Sequence, residues 1–577
     1  MNVSAWSIRN PIPAIMLFVL LTLAGAMSFK AMEIQNFPDL ELPTVVVTAA
    51  LPGASPTQLE TEVVRKIENS IASVQGLKHI YAKIQDGTAT VTAEFRLEKG
   101  TQEALDEVRD AVNRVRSELP GDLRDPQISK LNLAGAPILS YSIASAQMDD
   151  EALSWFVDNE VSKALLGVRG VGSVARVGGV TREVQVALDP ARMLSLGVTA
   201  SDISRRLRAV QQESSGGRAE WAGAEQAVRT VATVQSAEQL AALDIPLPDG
   251  RRVALSQVAT IRDTVAEQRS AALLNGQPVV GFEVTRSRGA SEVEVRSGVQ
   301  AALDKVKERH TDVKIDEVFN FVDPVQENYD GSLTLLYEGA ILAVIVVWFF
   351  LRDWRATFVA ATALPLSVIP AFIGMWALGF SINVVTLLSL SLVVGILVDD
   401  AIVEIENIIR HLRMGKSPYQ AAMEAADEIG LAVIATTFTL IAVFLPTAFM
   451  AGIAGKFFKQ FGWTAALAVF ASLVVARVLT PMMSAYLLKP IVTQGEPPDG
   501  PIMSRYMKAA AWCVKHRWIT SFGAGAFFVG SIALIPLLPT GFIPADDFGQ
   551  SQVTIELPPG STFSDTKTAA EQARLLL

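Results

Sequence analysis

Two adjacent acids, Asp399 and Asp400, lie within an otherwise apolar stretch of the chain. Fifteen apolar or hydroxyl-bearing residues precede them. Arg410 follows Asp400 by ten positions, which is about 15 Å in a helix. Both carboxylates are therefore predicted to lie inside a membrane, where ionisable side chains are costly and usually functional. Neighbouring acids in a low dielectric cannot both stay ionised cheaply, so the pair is suited to binding and releasing protons.

Two other charged residues could extend this site. Glu404 falls one helical turn after Asp400 on the same face and could continue a proton path, although solvation at the membrane interface explains it equally well. Arg477 is the other strong charge deep in an apolar stretch. It could form an ion pair with the aspartates, and that pair could be purely structural. Alternatively, its side chain could direct the charge toward the cytoplasm. We take Asp399 and Asp400 as the candidate proton relay and Glu404 and Arg477 as its candidate continuation.

The composition excludes several classes of protein. Half of the 577 residues are hydrophobic, 19% are charged and the mean hydropathy is +0.33, which excludes intrinsic disorder and indicates a membrane protein. A net charge of −10 and a pI near 5.2 argue against binding of nucleic acid. The single cysteine, Cys513, excludes an intrachain disulfide. We expect no cofactor and no metal site, and we expect the four histidines at surfaces or interfaces (His79, His310, His411, His516).

Seven apolar stretches are long enough to cross the roughly 30 Å hydrocarbon core of a bilayer as helices. They cover residues 11–29, 333–351, 356–380, 382–409, 430–455, 461–488 and 518–542. Basic residues cluster in alternate short connections, so the positive-inside rule places those connections in the cytoplasm. The first stretch could be a signal peptide, but its length favours an uncleaved anchor. The polar region 31–330 is then predicted to lie on the opposite, periplasmic face.

The polar region alternates between strand and helix patterns. The first group of patterns covers residues 44–50, 55–73, 77–84, 89–95 and 101–117, and this order of five elements is typical of a β-α-β-β-α-β unit up to its last strand. A related group covers residues 137–144, 150–166, 172–177, 278–284, 290–306 and 313–319. Residues 178–266 interrupt this second group. Within them, Ser214-Ser-Gly-Gly-Arg218 is predicted to form the tip of a projecting hairpin.

The end of the chain repeats its beginning. Phe37-Pro38 and Leu51-Pro52-Gly53 follow the first apolar stretch, and Phe542-Ile-Pro544 and Leu557-Pro-Pro-Gly560 follow the last one, about 506 residues later. Such internal duplication is common in transporters. We therefore expect a duplicated protein whose second copy stops early in this chain, at the start of another extramembrane domain and short of five more membrane helices.

Residues 395–407 read Gly-Ile-Leu-Val-Asp-Asp-Ala-Ile-Val-Glu-Ile-Glu-Asn. This segment resembles the fourth membrane helix of the resistance–nodulation–division (RND) efflux pumps. Other matching features are Arg9-Asn10-Pro11, Leu51-Pro52-Gly53, Arg355-Ala-Thr, Gly379-Phe-Ser-Ile-Asn383 and Leu479-Thr-Pro481. The resemblance covers the whole chain. The aspartate pair is similar to that of the branch which exports hydrophobic and amphiphilic compounds.

The resemblance implies a fold, a mechanism and partners. The fold would be a membrane α-helical bundle with an α+β periplasmic porter domain, and the mechanism would be proton-driven export across the bacterial inner membrane, with Asp399 and Asp400 as the relay. A homotrimer or heterotrimer would act with a periplasmic membrane-fusion adaptor and an outer-membrane channel. The implied segments are a first membrane helix (1–30), porter subdomains (38–132; 133–177 with 267–321), a docking subdomain with its hairpin (178–266), membrane helices two to six (331–489), a cytoplasmic linker (490–517), a seventh helix (518–542) and the start of a third porter subdomain (543–577).

The chain departs from the family pattern in two respects. Pro137 and Val177 stand where multidrug pumps often place phenylalanines of the substrate pocket, and neither has a ring to stack on a drug. We therefore keep export of lipid or other non-drug cargo as the alternative. The relay's lysine partner would belong to the family's second half, so the 577 residues alone are not expected to pump.

Two other classes of function fit the sequence less well. An intramembrane aspartyl protease needs aspartates from two helices, whereas Asp399 and Asp400 are neighbours on one helix. A sensor or assembly module of similar fold leaves the acid pair without a role. A secondary transporter, and not an enzyme, is therefore the prediction.

Overall fold

The computed structural model describes residues 3–39, 41–131, 135–210, 212–221, 223–232, 234–247, 250–490, 501–538, 551–558 and 560–576. The chain forms two compact units. Unit 1 contains Met1–Ala136, Arg286–Arg296 and Phe321–Gln552. Unit 2 contains Pro137–Thr285, Ser297–Asn320 and Val553–Leu577.

In the described part of unit 1, seven helices are long and apolar enough to cross a membrane, and each contains most of one predicted stretch. Membrane helices 1 to 7 are Pro11–Ala31, Val322–Leu351, Trp354–Ala377, Val384–Arg413, Gly430–Phe449, Gly452–Leu487 and Arg517–Leu537. Membrane helix 2 begins well before its apolar stretch, because backbone hydrogen bonds continue the helix through polar residues. Shorter helices are Val3–Arg9, Pro418–Glu428, which we call the connecting helix, and Pro501–Lys515.

Membrane helix 4 lies against membrane helices 2, 3 and 6. Its buried face is mostly apolar and includes Val393, Leu397 and Ile405, each fully buried. Elsewhere in the bundle, Gly25 allows membrane helix 1 to approach membrane helix 3 closely, since a Cβ at Gly25 would lie 2.3 Å from the carbonyl oxygen of Ile369. The bundle therefore surrounds the helix that carries Asp399 and Asp400 on several sides.

The polar part of unit 1 contains a four-stranded antiparallel sheet with the strand order β2-β3-β1-β4. Its strands are β1 (Thr44–Ala50), β2 (Leu77–Gln85), β3 (Thr88–Phe95) and β4 (Gln127–Lys130). Residues 56–71 form a helix that begins at the cap residue Ser55 and contains a π-helical turn, Glu60–Val64. Thr101–Arg114 forms the second helix. The alternating burial of β3 places Val91 and Phe95 in the core between sheet and helices.

Unit 2 contains a second mixed layer of strands and helices. Its main sheet has the order β13-β14-β5-β15, and β6 also pairs with β14. These strands are β5 (Pro137–Ser145), β6 (Val171–Val177), β13 (Ala272–Leu274), β14 (Gln277–Arg286) and β15 (Val313–Asn320). Residues 150–166 form a helix with its own π-helical turn, and a second helix, Glu292–Arg309, belongs to unit 2 from Ser297 onward. The described strands and helices fall within a few residues of the predicted ones.

The described residues of the insertion in unit 2 form three two-stranded sheets. They pair β7 (Arg182–Leu188) with β12 (Ala259–Val265), β8 (Gln212–Trp221) with β9 (Ala224–Ala232), and β10 (Asp244–Pro246) with β11 (Arg252–Ala254). Short helices within the insertion are Pro190–Leu196, Ala200–Val210, Ala237–Ala241 and Leu255–Val258.

The predicted hairpin is present, but the prediction of its tip was wrong. Ser214 to Arg218 lie within β8, where the pairing register with β9 shifts between Ser215 and Arg218. The turn instead lies between Trp221 and Ala224, and Gly223 there has a φ of +78°. Glycine supports both features, because it permits a β-bulge within a strand and a left-handed residue in a turn.

The last part of the chain bears on the predicted duplication. Phe542 and Pro544 lie outside the described residues, and residues 551–558 form no strand, since no described segment pairs with them. Local geometry does recur at an offset of 507 residues: Gly53 and Gly560 both have positive φ, +81° and +92°. The main-chain N–H of Asp565 donates to the Thr562 hydroxyl at 3.2 Å, just before the helix Phe563–Leu576. Gln58 and Ser55 make the equivalent bond near the first copy's helix, so duplication remains a prediction with local support.

Candidate functional site

The aspartate helix is fixed at its first turn by Asn383. The Asn383 side chain accepts hydrogen bonds from the main-chain N–H groups of Val385 and Thr386, both at 3.0 Å. The hydroxyl of Thr386 in turn accepts from the N–H of Asn383 at 2.9 Å. This reciprocal cap satisfies N–H groups that a helix start would otherwise leave unpaired in an apolar setting.

Asp400 is buried, with only 8% of its surface exposed. The hydroxyl of Ser472, in membrane helix 6, donates to Oδ2 of Asp400 at 3.3 Å and lies 3.0 Å from the carbonyl oxygen of Leu397. The hydroxyl of Thr437, in membrane helix 5, is a second hydrogen-bonding neighbour of the carboxylate. Two neutral hydroxyls can serve either protonation state, because a hydroxyl both donates and accepts.

Asp399 points away from this buried environment and is exposed on the surface of the described chain. Its separation from Asp400 follows from helix geometry, since consecutive side chains diverge by about 100°. Neither aspartate forms an ion pair with any described residue, so Arg477 does not pair with them. The two acids therefore have different surroundings although they are adjacent in sequence.

Arg477 contacts Glu404 instead. Glu404 is fully buried, and its Oε2 lies 3.6 Å from Nη1 of Arg477, whose side chain is 12% exposed. Within the described chain, neither carboxylate oxygen of Glu404 accepts a hydrogen bond. The contact is thus an ion pair without hydrogen-bond geometry, which stabilises a buried carboxylate less well than a hydrogen-bonded ion pair does.

A π-helical turn in membrane helix 6 lets this helix reach both acids. The turn covers Val475–Leu479 and contains Arg477. Asp400 and Glu404 are four residues apart and share a helix face, whereas Ser472 and Arg477 are five apart, which in a regular α-helix would separate them by about 140°. A turn closed by i→i+5 bonds accommodates the additional residue, so Ser472 and Arg477 can face the same neighbouring helix.

The Arg477 side chain extends from Glu404 to the connecting helix. Its Nη1 donates to the carbonyl oxygen of Ala426 at 2.7 Å. Gly430, at the start of membrane helix 5, leaves room for the guanidinium, because a Cβ there would lie 2.6 Å from Nη2. The amide of Asn407 donates to the carbonyl oxygen of Ala425 at 3.1 Å, so two polar side chains hold this helix beside the site.

A charged cluster lies where membrane helix 4 ends. Nη2 of Arg410 lies 2.5 Å from Oε1 of Glu428, and Nε2 of His411 lies 2.8 Å from Oε2 of the same carboxylate. Hydrogen bonds from Arg410 and then His411 lower the pKa of Glu428 to about 2. Lys416 contacts both His411 and Glu424. Of the two positions expected for the histidines, a surface does not apply to His411, which is 7% exposed and contacts Glu424 and Glu428 on the connecting helix.

The two pocket residues proposed from the sequence lie apart in unit 2. Pro137 pairs with Thr285 of β14, while Cβ of Val177 lies 3.4 Å from the place that a Cβ would take on Gly281 of the same strand. Four residues of strand correspond to about 13 Å. Tyr141 and Phe282 stack with ring centroids 5.3 Å apart, but both rings are buried in the sheet's core.

Sequence reasoning missed several members of the site. Ser472 and Thr437 gave no signal, because hydroxyl residues are ordinary in membrane helices. Glu428 and His411 read as parts of a basic, solvated connection. The described residues contain no group of three or more histidine, cysteine, aspartate or glutamate side chains able to hold a metal ion.

Comparison with known families accounts for nearly the whole chain. A family model described as the AcrB/AcrD/AcrF family matches residues 3–576. The matched region includes membrane helices 1 to 7 and most of both units.

Proposed function

Because the chain belongs to the AcrB/AcrD/AcrF family, the RND-type permeases of the inner membrane, we propose that it exports hydrophobic or amphiphilic compounds in exchange for protons. Family members are transporters, and the seven apolar helices agree with that class. The further proposal concerns the driving ion, the cargo and the residues that carry the proton.

The burial of Asp400 without a cation partner in the described chain is the observation that carries the proposal. A permanently ionised carboxylate at this depth would need a partner charge to offset the loss of hydration. Among the described residues, Asp400 has only the hydroxyl donors Ser472 and Thr437 beside it, so proton binding offers a route to neutrality. Proton binding and release by Asp399 and Asp400 would then alternate the charge of membrane helix 4.

Glu404 and Arg477 extend this proposed path toward the connecting helix. Glu404 lies one turn beyond Asp400, is fully buried, and has no hydrogen-bond donor within the described residues. Arg477 stabilises its anionic form by charge alone at 3.6 Å. A proton that leaves Asp400 could therefore occupy Glu404 before it reaches the charged cluster at Glu428.

Proton-coupled transport by the full-length protein in liposomes tests the proposal. Asp400→Asn keeps the shape of the side chain but cannot exchange a proton, so substrate-driven proton flux should fall to the level of protein-free liposomes. Glu406→Gln is the matched control, since Glu406 is an exposed acid on the same helix. Undiminished flux in Asp400→Asn, with normal protein levels, would refute the relay.

The cargo is proposed from the branch resemblance and is tested separately. Pro137 and Val177 are proposed as pocket positions, and neither supplies an aromatic surface. The two residues neighbour positions of β14 that are four residues apart, which favours a cargo held by apolar contact over a length of strand, so lipid export remains the second candidate. Proton flux driven by amphiphilic drugs, and then by phospholipid, in the same liposomes would separate the two cargoes.

The assembly is also a proposal. Residues 38–132 and 133–177 with 267–321 would form porter subdomains, residues 178–266 the docking subdomain, and residues 543–577 the start of a third porter subdomain. A homotrimer or heterotrimer would join a periplasmic adaptor and an outer-membrane channel. Cross-linking of a cysteine at Gly223, in the turn of the β8–β9 hairpin, to a neighbouring subunit would test the trimer.

A further inference from the structure

Arg286 lies at the centre of a buried ion cluster in unit 1 that the proposed proton path does not use. Arg286 is 6% exposed. Its Nη2 lies 2.5 Å from Oδ1 of Asp39, and its Nε lies 3.0 Å from Oε1 of Glu292. The side chains of Asp39 and Glu292 are 16% and 10% exposed. We call these three residues the Arg286 cluster.

The Arg286 cluster joins two segments that are distant in sequence. One runs from the last residue of β14 to the first residue of the helix Glu292–Arg309, and the other is the segment that follows membrane helix 1. Main-chain groups complete the connection: the N–H of Gly289 donates to Asp39 at 2.9 Å, and the N–H of Asn36 donates to Glu292 at 3.3 Å. The N–H of Glu292 donates to the carbonyl oxygen of Ile34 at 3.0 Å.

The segment after membrane helix 1 also binds the loop that starts membrane helix 4. Ile34 and Ile382 form a parallel β-bridge. The N–H of Gln35 donates to Ile382 at 3.0 Å, the N–H of Ile382 donates to Glu33 at 2.9 Å, and the N–H of Val384 donates to Asn36 at 3.3 Å. Val384 is the first residue of the helix that carries Asp400. Asp400 lies 16 residues after Val384, which is about 24 Å along the helix axis.

A continuous set of hydrogen bonds therefore runs from the aspartate helix to the Arg286 cluster. From the cluster, the chain enters unit 2 in both directions, through β14 and through the helix Glu292–Arg309. Rigid elements joined by directional contacts can transmit a displacement, whereas flexible loops absorb it. The planar fork of an arginine suits this role, because it fixes two carboxylates in one plane.

We infer that Arg286, Asp39 and Glu292 are positioning residues that transmit movement of membrane helix 4 to β14 and to the helix Glu292–Arg309. The inference rests on the proposed proton-driven function. The residues do not carry protons or touch cargo. They convert a shift of the helix start into a shift of two elements that continue into unit 2.

The test measures coupling in the full-length protein in liposomes. Arg286→Gln should retain proton binding at Asp400, seen as the protonated-carboxyl infrared band that Asp400→Asn removes. The number of substrate molecules exported per proton should fall at least about fivefold. A fivefold change corresponds to the low end of typical coupling free energies between two sites. Arg288→Gln is the control, because Arg288 lies two residues after Arg286 and forms an exposed ion pair with Glu41.

Each outcome has a defined meaning. If Arg286→Gln and Arg288→Gln export the same number of substrate molecules per proton, the inference is wrong, although the relay can still stand if Asp400→Asn is inactive. An active Asp400→Asn would instead contradict the proposed function. If Arg286→Gln fails to fold, Asp39→Asn provides the same measurement with the arginine in place, and an unchanged ratio there also overturns the inference.

Discussion

The Arg286 cluster and the Glu404–Arg477 pair both bury an arginine beside carboxylate, yet their geometries differ. In the Arg286 cluster, two carboxylates accept directional bonds at 2.5 and 3.0 Å, and backbone N–H groups supply more. In the pair, the nearest approach is 3.6 Å, and both oxygens of Glu404 lack a donor among the described residues. The first arrangement resists change in position, and the second costs little to rearrange, which suits positioning and proton exchange respectively.

The largest expected effect comes from removing the charge of Arg477. Arg477→Met would leave Glu404 buried without a cation and should destabilise the protein by about 3–5 kcal/mol. Denaturant unfolding in detergent measures this loss. The double variant Glu404→Gln/Arg477→Met should recover most of the stability, because no unpaired charge remains. Equal stability of Arg477→Met and the unmodified protein would show that Glu404 is neutral in the resting state.

Exchange of arginine for lysine sharpens the contrast between the two sites. Arg286→Lys keeps the charge but cannot hold two carboxylates in a plane, so it should cost about 1.5–3 kcal/mol, the worth of a hydrogen bond to a charged group. Arg477→Lys should cost less, because the contact with Glu404 depends on charge and not on direction. Thermal unfolding of the two variants, measured side by side, checks the order. The reverse order would contradict the distinction between the sites.

The smallest expected effect concerns Glu428 at the end of membrane helix 4. Hydrogen bonds from Arg410 and His411 lower its pKa to about 2 in the folded protein, below the ordinary value of 4.5. A lowered folded pKa contributes stability that is complete above about pH 4.5 and is lost as the pH falls toward 2. When the pH is lowered from 6 to 3, the thermal unfolding temperature of Glu428→Gln should therefore decrease less than that of the unmodified protein. Glu406→Gln serves as the control and should follow the unmodified protein.

Periodicity predicted the elements well where one rule decided the local structure. The strand at 44–50 and the helix at 150–166 have the predicted bounds, since β-branched residues favour a strand and a four-residue apolar repeat reflects burial on one helix face. The prediction of the hairpin tip was wrong because Gly216-Gly217 is compatible with two local structures, a turn and a β-bulge. Pairing along β9 decided between them, and pairing is not a local property.

The members of the candidate site were predictable only in part. Asp399 and Asp400 stand out because charge in an apolar stretch is costly wherever the stretch packs. The partner of Arg477 could not be predicted, since the choice between the aspartates and Glu404 depends on the irregular turn in membrane helix 6. The Arg286 cluster was also missed, because Asp39 and Arg286 are 247 residues apart and each is ordinary in its own segment.

The π-helical turn at Val475–Leu479 contains one residue more than a regular α-helical turn of membrane helix 6 would. The position of a π-helical turn can shift along a helix. When it shifts by one residue, the side chain at that residue rotates by about 100° about the helix axis, while both ends of the helix stay in place. Arg477 lies inside the turn, so one such step would withdraw its guanidinium from Glu404 without unwinding the helix. Membrane helix 6 would thereby allow a local rotation of one side chain, that of Arg477, which neutralises the buried Glu404.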